Sequence, residues 1–240
     1  MEQLKITDRY KDILRNFTRE LKDIYEEDLL SLILYGSAVS GEFVEKHSNF
    51  NLLVILKNTE LALLKKSSKL IHKFKILKVL FLSQEYIFSS TDIFPIEFLD
   101  MQENYYLLYG KDVLKEIQVD LRNLRFQCEQ ELKSKLLKLR QAYLLLNNNI
   151  PQLRNLLFIS FTSILHILRN LLRIKGRKPP YLKQLIIKEL VLEFEIDLNI
   201  WEKILAAKNK EINLTKSEIE GLFVSFVKEL ESIVNIVDKL

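Results

Sequence analysis

The chain has 240 residues, nearly half of them apolar (48%), with only five glycines and four prolines. That composition suits an ordered protein able to bury one large core or two small ones, and excludes disordered or repetitive classes. The formal charge of +4 is a mild excess that nucleotide or nucleic-acid phosphate could exploit but does not require, and the lone Cys128 excludes an internal disulfide or a cysteine-based zinc cluster. The helical context of Cys128 reads as a small buried apolar group. The N-terminus mixes acids and bases and has no apolar core of a signal peptide. The most hydrophobic run, 156–168, is short for a bilayer and is followed by Arg169 and Arg173, so it reads as a core helix, with no membrane partner and a cytoplasmic location expected.

In chain order, Tyr10, Ile13, Leu14, Phe17, Leu21 and Ile24 recur at helical spacing and predict a helix over 8–28. Residues 29–35 form a continuous apolar run, the pattern of a strand covered on both faces. A short helix over 37–43 follows a Gly36-Ser37 turn, and a second strand covers 51–56. A helix, basic on one side, is predicted over 61–74, a third strand over 76–82, and a fourth over 93–99, where Pro95 favours a sheet edge. Strands 29–35, 51–56 and 93–99 are expected to share one sheet.

From Val113 the periodicity is helical throughout. Helices are predicted over 121–147, 151–174, 181–193, 197–209 and 215–239, the last opened by Thr215-Lys216-Ser217-Glu218, a capping-box sequence. The expected architecture is α+β: a mixed-sheet domain over 1–112, then an all-α helical bundle over 113–240.

The chemistry-bearing pattern lies in the first half. Leu32-Ile33-Leu34-Tyr35-Gly36-Ser37 is a buried strand ending in a Gly-Ser turn. Asn49-Phe50-Asn51 opens the next strand, and alternation places Asn49 and Asn51 on one face, roughly 7 Å apart. Glu97 follows in a later segment. This arrangement resembles the polymerase-β-type nucleotidyltransferase superfamily, whose pattern is a Gly-Ser turn, a same-face Asp-x-Asp, and a third carboxylate on a neighbouring strand. The resemblance is best over 29–112.

It implies that Gly36 lets the backbone approach a nucleotide's phosphates and that Ser37 donates to a phosphate oxygen. Asn49 and Asn51 then occupy the places of the two metal-bridging aspartates, and Glu97 that of the third carboxylate, with Asp100 a weaker candidate on the opposite face. Nucleotidyl transfer in such enzymes uses two Mg²⁺ ions, which favour carboxylate oxygens. Each asparagine offers one neutral oxygen where aspartate offers two that share a charge. The expectation is therefore a nucleotidyltransferase-like protein with a degenerate metal site, catalytically impaired, with no cofactor (Mg²⁺ only if active), and still able to bind a nucleoside triphosphate.

Two alternatives stand beside it. One is an active transferase moving a nucleoside monophosphate to an unknown acceptor. The other is a helical interaction module in which the apolar helices after residue 121 bind a protein partner or a second copy. His47 and His72 read as solvated and His166 as a core residue, none with a metal-like partner. Arg169-Asn170 lacks the downstream histidine of a small helical ribonuclease motif, so that activity is not expected. Lys175, Arg177 and Lys178 read first as a solvated charge run, with phosphate or nucleic-acid contact left open.

Overall fold

The computed structural model describes residues 4–40, 49–146, 148–194 and 196–240. The chain divides into two compact units, Met1–Asp120 and Leu121–Leu240. In the first, α1 (Asp8–Tyr25) ends where Glu26 takes a positive φ of 47° and a short 3₁₀ turn leads into β1 (Leu29–Tyr35). Then come α2 (Ser37–Ser40), β2 (Phe50–Leu56), α3 (Leu61–Lys65), α4 (Ser68–Lys73) and β3 (Leu77–Ser83). The unit closes with α5 (Gln84–Ser89), α6 (Pro95–Glu103) and β4 (Tyr105–Gly110).

The four strands form one mixed sheet in the order β3-β2-β1-β4, with β1 antiparallel to both neighbours and β2 parallel to β3. The continuous apolar runs of β1 and β2 have their cause in a sheet covered on both sides. On one face Leu32, Leu34, Leu52 and Val54 pack with Leu14, Phe17 and Leu21 of α1. On the other, Ile33, Leu53 and Ile55 pack with Ile87 of α5, Phe98 and Met101 of α6, and Val113, Leu114 and Ile117. Those last three residues carry the first core beyond residue 112, which is why the unit runs on to Asp120.

The expected strand over 93–99 is overturned. Pro95 stands in the first turn of α6, where a missing N–H costs nothing, and Pro95, Phe98 and Met101 recur at helical spacing on the buried side. The fourth strand is instead Tyr105–Gly110, paired along β1 from Tyr35↔Tyr105 to Ser31↔Gly110. Gly110 ends it with φ 82°. The single helix expected over 61–74 is two shorter ones, and α5 answers to no sequence expectation.

The second unit is all helical: α7 (Leu121–Leu145), α8 (Ile150–Ile174), α9 (Lys183–Phe194), α10 (Leu198–Lys208) and α11 (Lys216–Val237). α8 is its axis, packed against each of the other four. Trp201, Phe161 and Phe226 meet at the centre, with ring centroids 5.3 to 6.3 Å apart. The capping box at Thr215 is formed, with Thr215 Oγ1 accepting from the Glu218 amide and the Glu218 carboxylate accepting from the Thr215 amide. Those bonds hold the Glu218 carboxyl down at about 2. By length and composition α8 is the one described helix that could cross a membrane, longer than the 156–168 run by itself. Of that apolar stretch, 61% is buried inside the protein.

Candidate functional site

The Gly-Ser turn sits where β1 leaves the sheet. Gly36 has φ 81°, a conformation that side chains disfavour. Its carbonyl accepts from the amides of Val39 (2.9 Å) and Ser40 (3.1 Å), starting α2. Its own amide donates to the carbonyl of Asn104 at 3.0 Å. The Gly36 N–H is thus already committed within the fold, and the donors left at the turn belong to neighbouring groups. Ser37 follows, half-buried.

Tyr35 pairs with Asn51 across β1 and β2 and with Tyr105 across β1 and β4. These three residues therefore form a row across the sheet, and alternation puts them on the face that carries Ile33, Leu53 and Leu107. A Cβ placed on Gly36 would stand 3.2 Å from Asn51 Nδ2. The structure thus brings the turn and Asn51 into direct contact, with the amide nitrogen towards the glycine. Asn49 lies two residues earlier, half-buried, just ahead of β2.

Glu97 is displaced from its expected place on a strand. It is on α6, exposed, and three residues before Asp100, so the two acids neighbour each other on the helix instead of facing opposite ways. α6 covers the same sheet face that carries Asn51, and its C-terminal cap is Asn104, whose carbonyl holds Gly36. With a rise of ~1.5 Å per residue, Asp100 stands ~6 Å and Glu97 ~10 Å along the axis from that anchor, which reverses their expected ranking.

Three residues here were not singled out from sequence. Asn104 places its carbonyl on the turn, while its Nδ2 is buried with no acceptor among the described residues. Tyr105 donates to both oxygens of Asp112 (2.9 and 3.0 Å), and burial together with that carboxylate pushes its hydroxyl up to about 12. Burial also raises Tyr35. The signal for Asn104 was an asparagine between a helix and an apolar strand, a common place for a capping residue.

The donors near the turn do not suit a pair of Mg²⁺ ions. Asn49 and Asn51 are neutral amides, and no group of three or more His, Cys, Asp or Glu residues among the described residues is placed to hold a metal. His47 lies outside the described residues. His72 is exposed, its Nδ1 2.7 Å from the Ser68 carbonyl. His166 is exposed on α8, not in the core as expected, because it falls on the side of α8 opposite Ile164, Leu168 and Leu171.

Arg169 and Asn170 are buried and have structural work. Arg169 Nε donates to the Pro180 carbonyl at 2.9 Å and its guanidinium lies 4.1 Å from the Tyr181 ring centre; Asn170 Nδ2 donates to the His166 carbonyl, and Arg173 bonds Asn170 Oδ1. Lys175, Arg177 and Lys178 are exposed, with Arg177 paired to Glu193 at 2.6 Å. Cys128 is buried, its Sγ 3.9 Å from the Ile167 carbonyl.

In fold the chain is similar to the crystal structure of spectinomycin adenyltransferase AAD(9) from Enterococcus faecialis with ATP and spectinomycin. The TM-score is 0.56 over 91% of this chain and 98% of that one, at 13% sequence identity. No protein-family model matches the chain, and no curated protein does. At that identity the likeness speaks to fold: a nucleotidyltransferase-like α+β unit followed by a helical one.

Proposed function

We propose that this protein is a nucleotidyltransferase-fold protein with a degenerate metal site, which binds a nucleoside triphosphate at the Gly36-Ser37 turn and transfers nucleotide poorly or not at all. The observation that carries this reading is the contact between Asn51 Nδ2 and Gly36. An aspartate there would present a negative charge and call for a cation between itself and phosphate. An amide presents a donor, so a phosphate oxygen can be met directly by Asn51 and by the Ser37 hydroxyl. The neighbour AAD(9) was solved with ATP, which supports a nucleotide as the ligand. Losing one strong transition-state interaction costs ~10²–10³ in rate, so two missing metal-bridging carboxylates leave little activity.

Titration calorimetry with ATP, with and without Mg²⁺, tests the proposal. Binding should be weak, sensitive to salt, largely independent of Mg²⁺, and reduced in Ser37→Ala. Binding that strictly requires Mg²⁺ contradicts it, and so does binding indifferent to Ser37→Ala.

A second reading, an active transferase, is favoured by one observation: Asp100 and Glu97 share a side of α6, the helix whose last residue anchors Gly36. Incubation with labelled nucleoside triphosphates, Mg²⁺ or Mn²⁺ and candidate acceptors separates the two. Metal-dependent transfer lost in Asp100→Asn or Glu97→Gln supports the active enzyme.

A further inference from the structure

We infer that α7 is a self-association face, on which a second copy of this chain packs its own α7 antiparallel. The buried side of α7 is set by Leu124, Cys128, Leu132, Leu136 and Leu139. The opposite side should be polar, and it is not: Phe126 is 62% exposed, Leu137 59% and Leu144 79%. At 3.6 residues per turn these three fall within about 20° of one line, and the line runs for ~27 Å.

The spacing is that of a coiled-coil seam. Phe126, Lys133 and Arg140 repeat every seventh residue, and Gln130, Leu137 and Leu144 repeat likewise four residues later, the a and d positions of a heptad. The two cations on this seam are already neutralised within the chain. Lys133 Nζ is 2.6 Å from Glu129 and 2.8 Å from Asp238, and Arg140 Nη2 is 2.8 Å from Glu231. Their heads are drawn aside, so their aliphatic stems can cover apolar surface on a partner.

The charges decide which partner and which direction. A parallel pair of α7 helices would set Lys133 against Lys133 and Arg140 against Arg140. An antiparallel pair sets Phe126 against Leu144 of the second copy, Lys133 against Leu137 of the second copy, and Gln130 against Arg140 of the second copy. Every seam position then meets a compatible one, and the arrangement is its own two-fold mate, as an isologous dimer requires. One helix seam per copy is a small interface, so the dimer is weak and concentration-dependent.

Sedimentation velocity of the full chain over a broad concentration range tests this. A monomer–dimer equilibrium is expected, and Leu137→Lys should weaken it by roughly tenfold or more while leaving the far-UV circular dichroism unchanged. Direction is read by oxidising a mixture of Phe126→Cys and Leu144→Cys proteins; Cys128, fully buried, does not compete. A mixed disulfide between the two variants is expected. Preferential Phe126→Cys self-cross-linking overturns the antiparallel register. A strict monomer overturns the inference, as does a dimer unmoved by Leu137→Lys. A monomer that instead binds anionic lipid vesicles through Phe126 also overturns it.

Discussion

An aspartate at position 51 would bring a full charge against the Gly36 turn, where Asn51 now brings an amide nitrogen 3.2 Å from the place of a Gly36 Cβ. Two unit charges about 4 Å apart interact by ~4 kcal/mol at an effective dielectric of about 20. The double change Asn49→Asp and Asn51→Asp should therefore raise Mg²⁺ affinity by about tenfold or more even after screening. Calorimetric Mg²⁺ titration of wild type and double variant checks this; unchanged affinity means the two side chains do not converge.

The same turn makes a prediction about the backbone. Gly36→Ala forces an alanine into left-handed space at about 1–2 kcal/mol and pushes on Asn51, whose side chain can move. Gly110→Ala has no such relief, since its Cβ would stand 2.1 Å from the Leu30 carbonyl oxygen, which is backbone. Urea unfolding should show Gly110→Ala as clearly the more damaging, because it breaks the pairing of β4 with β1.

Among the elements, α11 offers the cleanest test of a local rule. Replacing a capping threonine by alanine costs about 0.5–2 kcal/mol, so Thr215→Ala should lower stability by that much. The Glu218 half of the box adds a pH signature. Its carboxyl is held at about 2, below an ordinary value of 4.5, so its stabilisation is present above pH 4.5 and fades as pH falls toward 2. Melting temperatures of wild type and Glu218→Gln should differ at neutral pH and converge across that window.

The cap was legible because its signal is local: two side chains three residues apart satisfy each other's backbone. β1 and β2 were legible for a similar reason, since seven-residue apolar runs leave little choice. The segment 93–99 was not. Ile93-Phe94-Pro95-Ile96-Glu97-Phe98-Leu99 has strand composition, and only the packing of Phe98 and Met101 on the sheet makes it helix. That one substitution of helix for strand moved Glu97 off the sheet. It also hid Asn104, which matters only through a carbonyl that no sequence pattern specifies.

At the scale of the whole molecule, the two units have separate cores, and the chain's one tryptophan reports on only one of them. Trp201 is fully buried in the helical unit, beside Phe161 at 5.7 Å and Phe226 at 5.3 Å. Tryptophan fluorescence therefore follows that unit, while far-UV circular dichroism follows both. Phe161 is also fully buried, so Phe161→Ala removes a core ring and leaves a cavity, at about 3–5 kcal/mol. The fluorescence transition in denaturant should move to lower concentration by that amount. Ligand binding at the Gly36-Ser37 turn rests on the sheet unit's own packing of Leu34, Leu52 and Phe98. ATP affinity measured below the shifted transition should therefore match wild type within error. A loss of ATP affinity in Phe161→Ala under conditions where Trp201 fluorescence is still native-like would place part of the nucleotide's contacts in the helical unit, and the turn-centred site would then be incomplete.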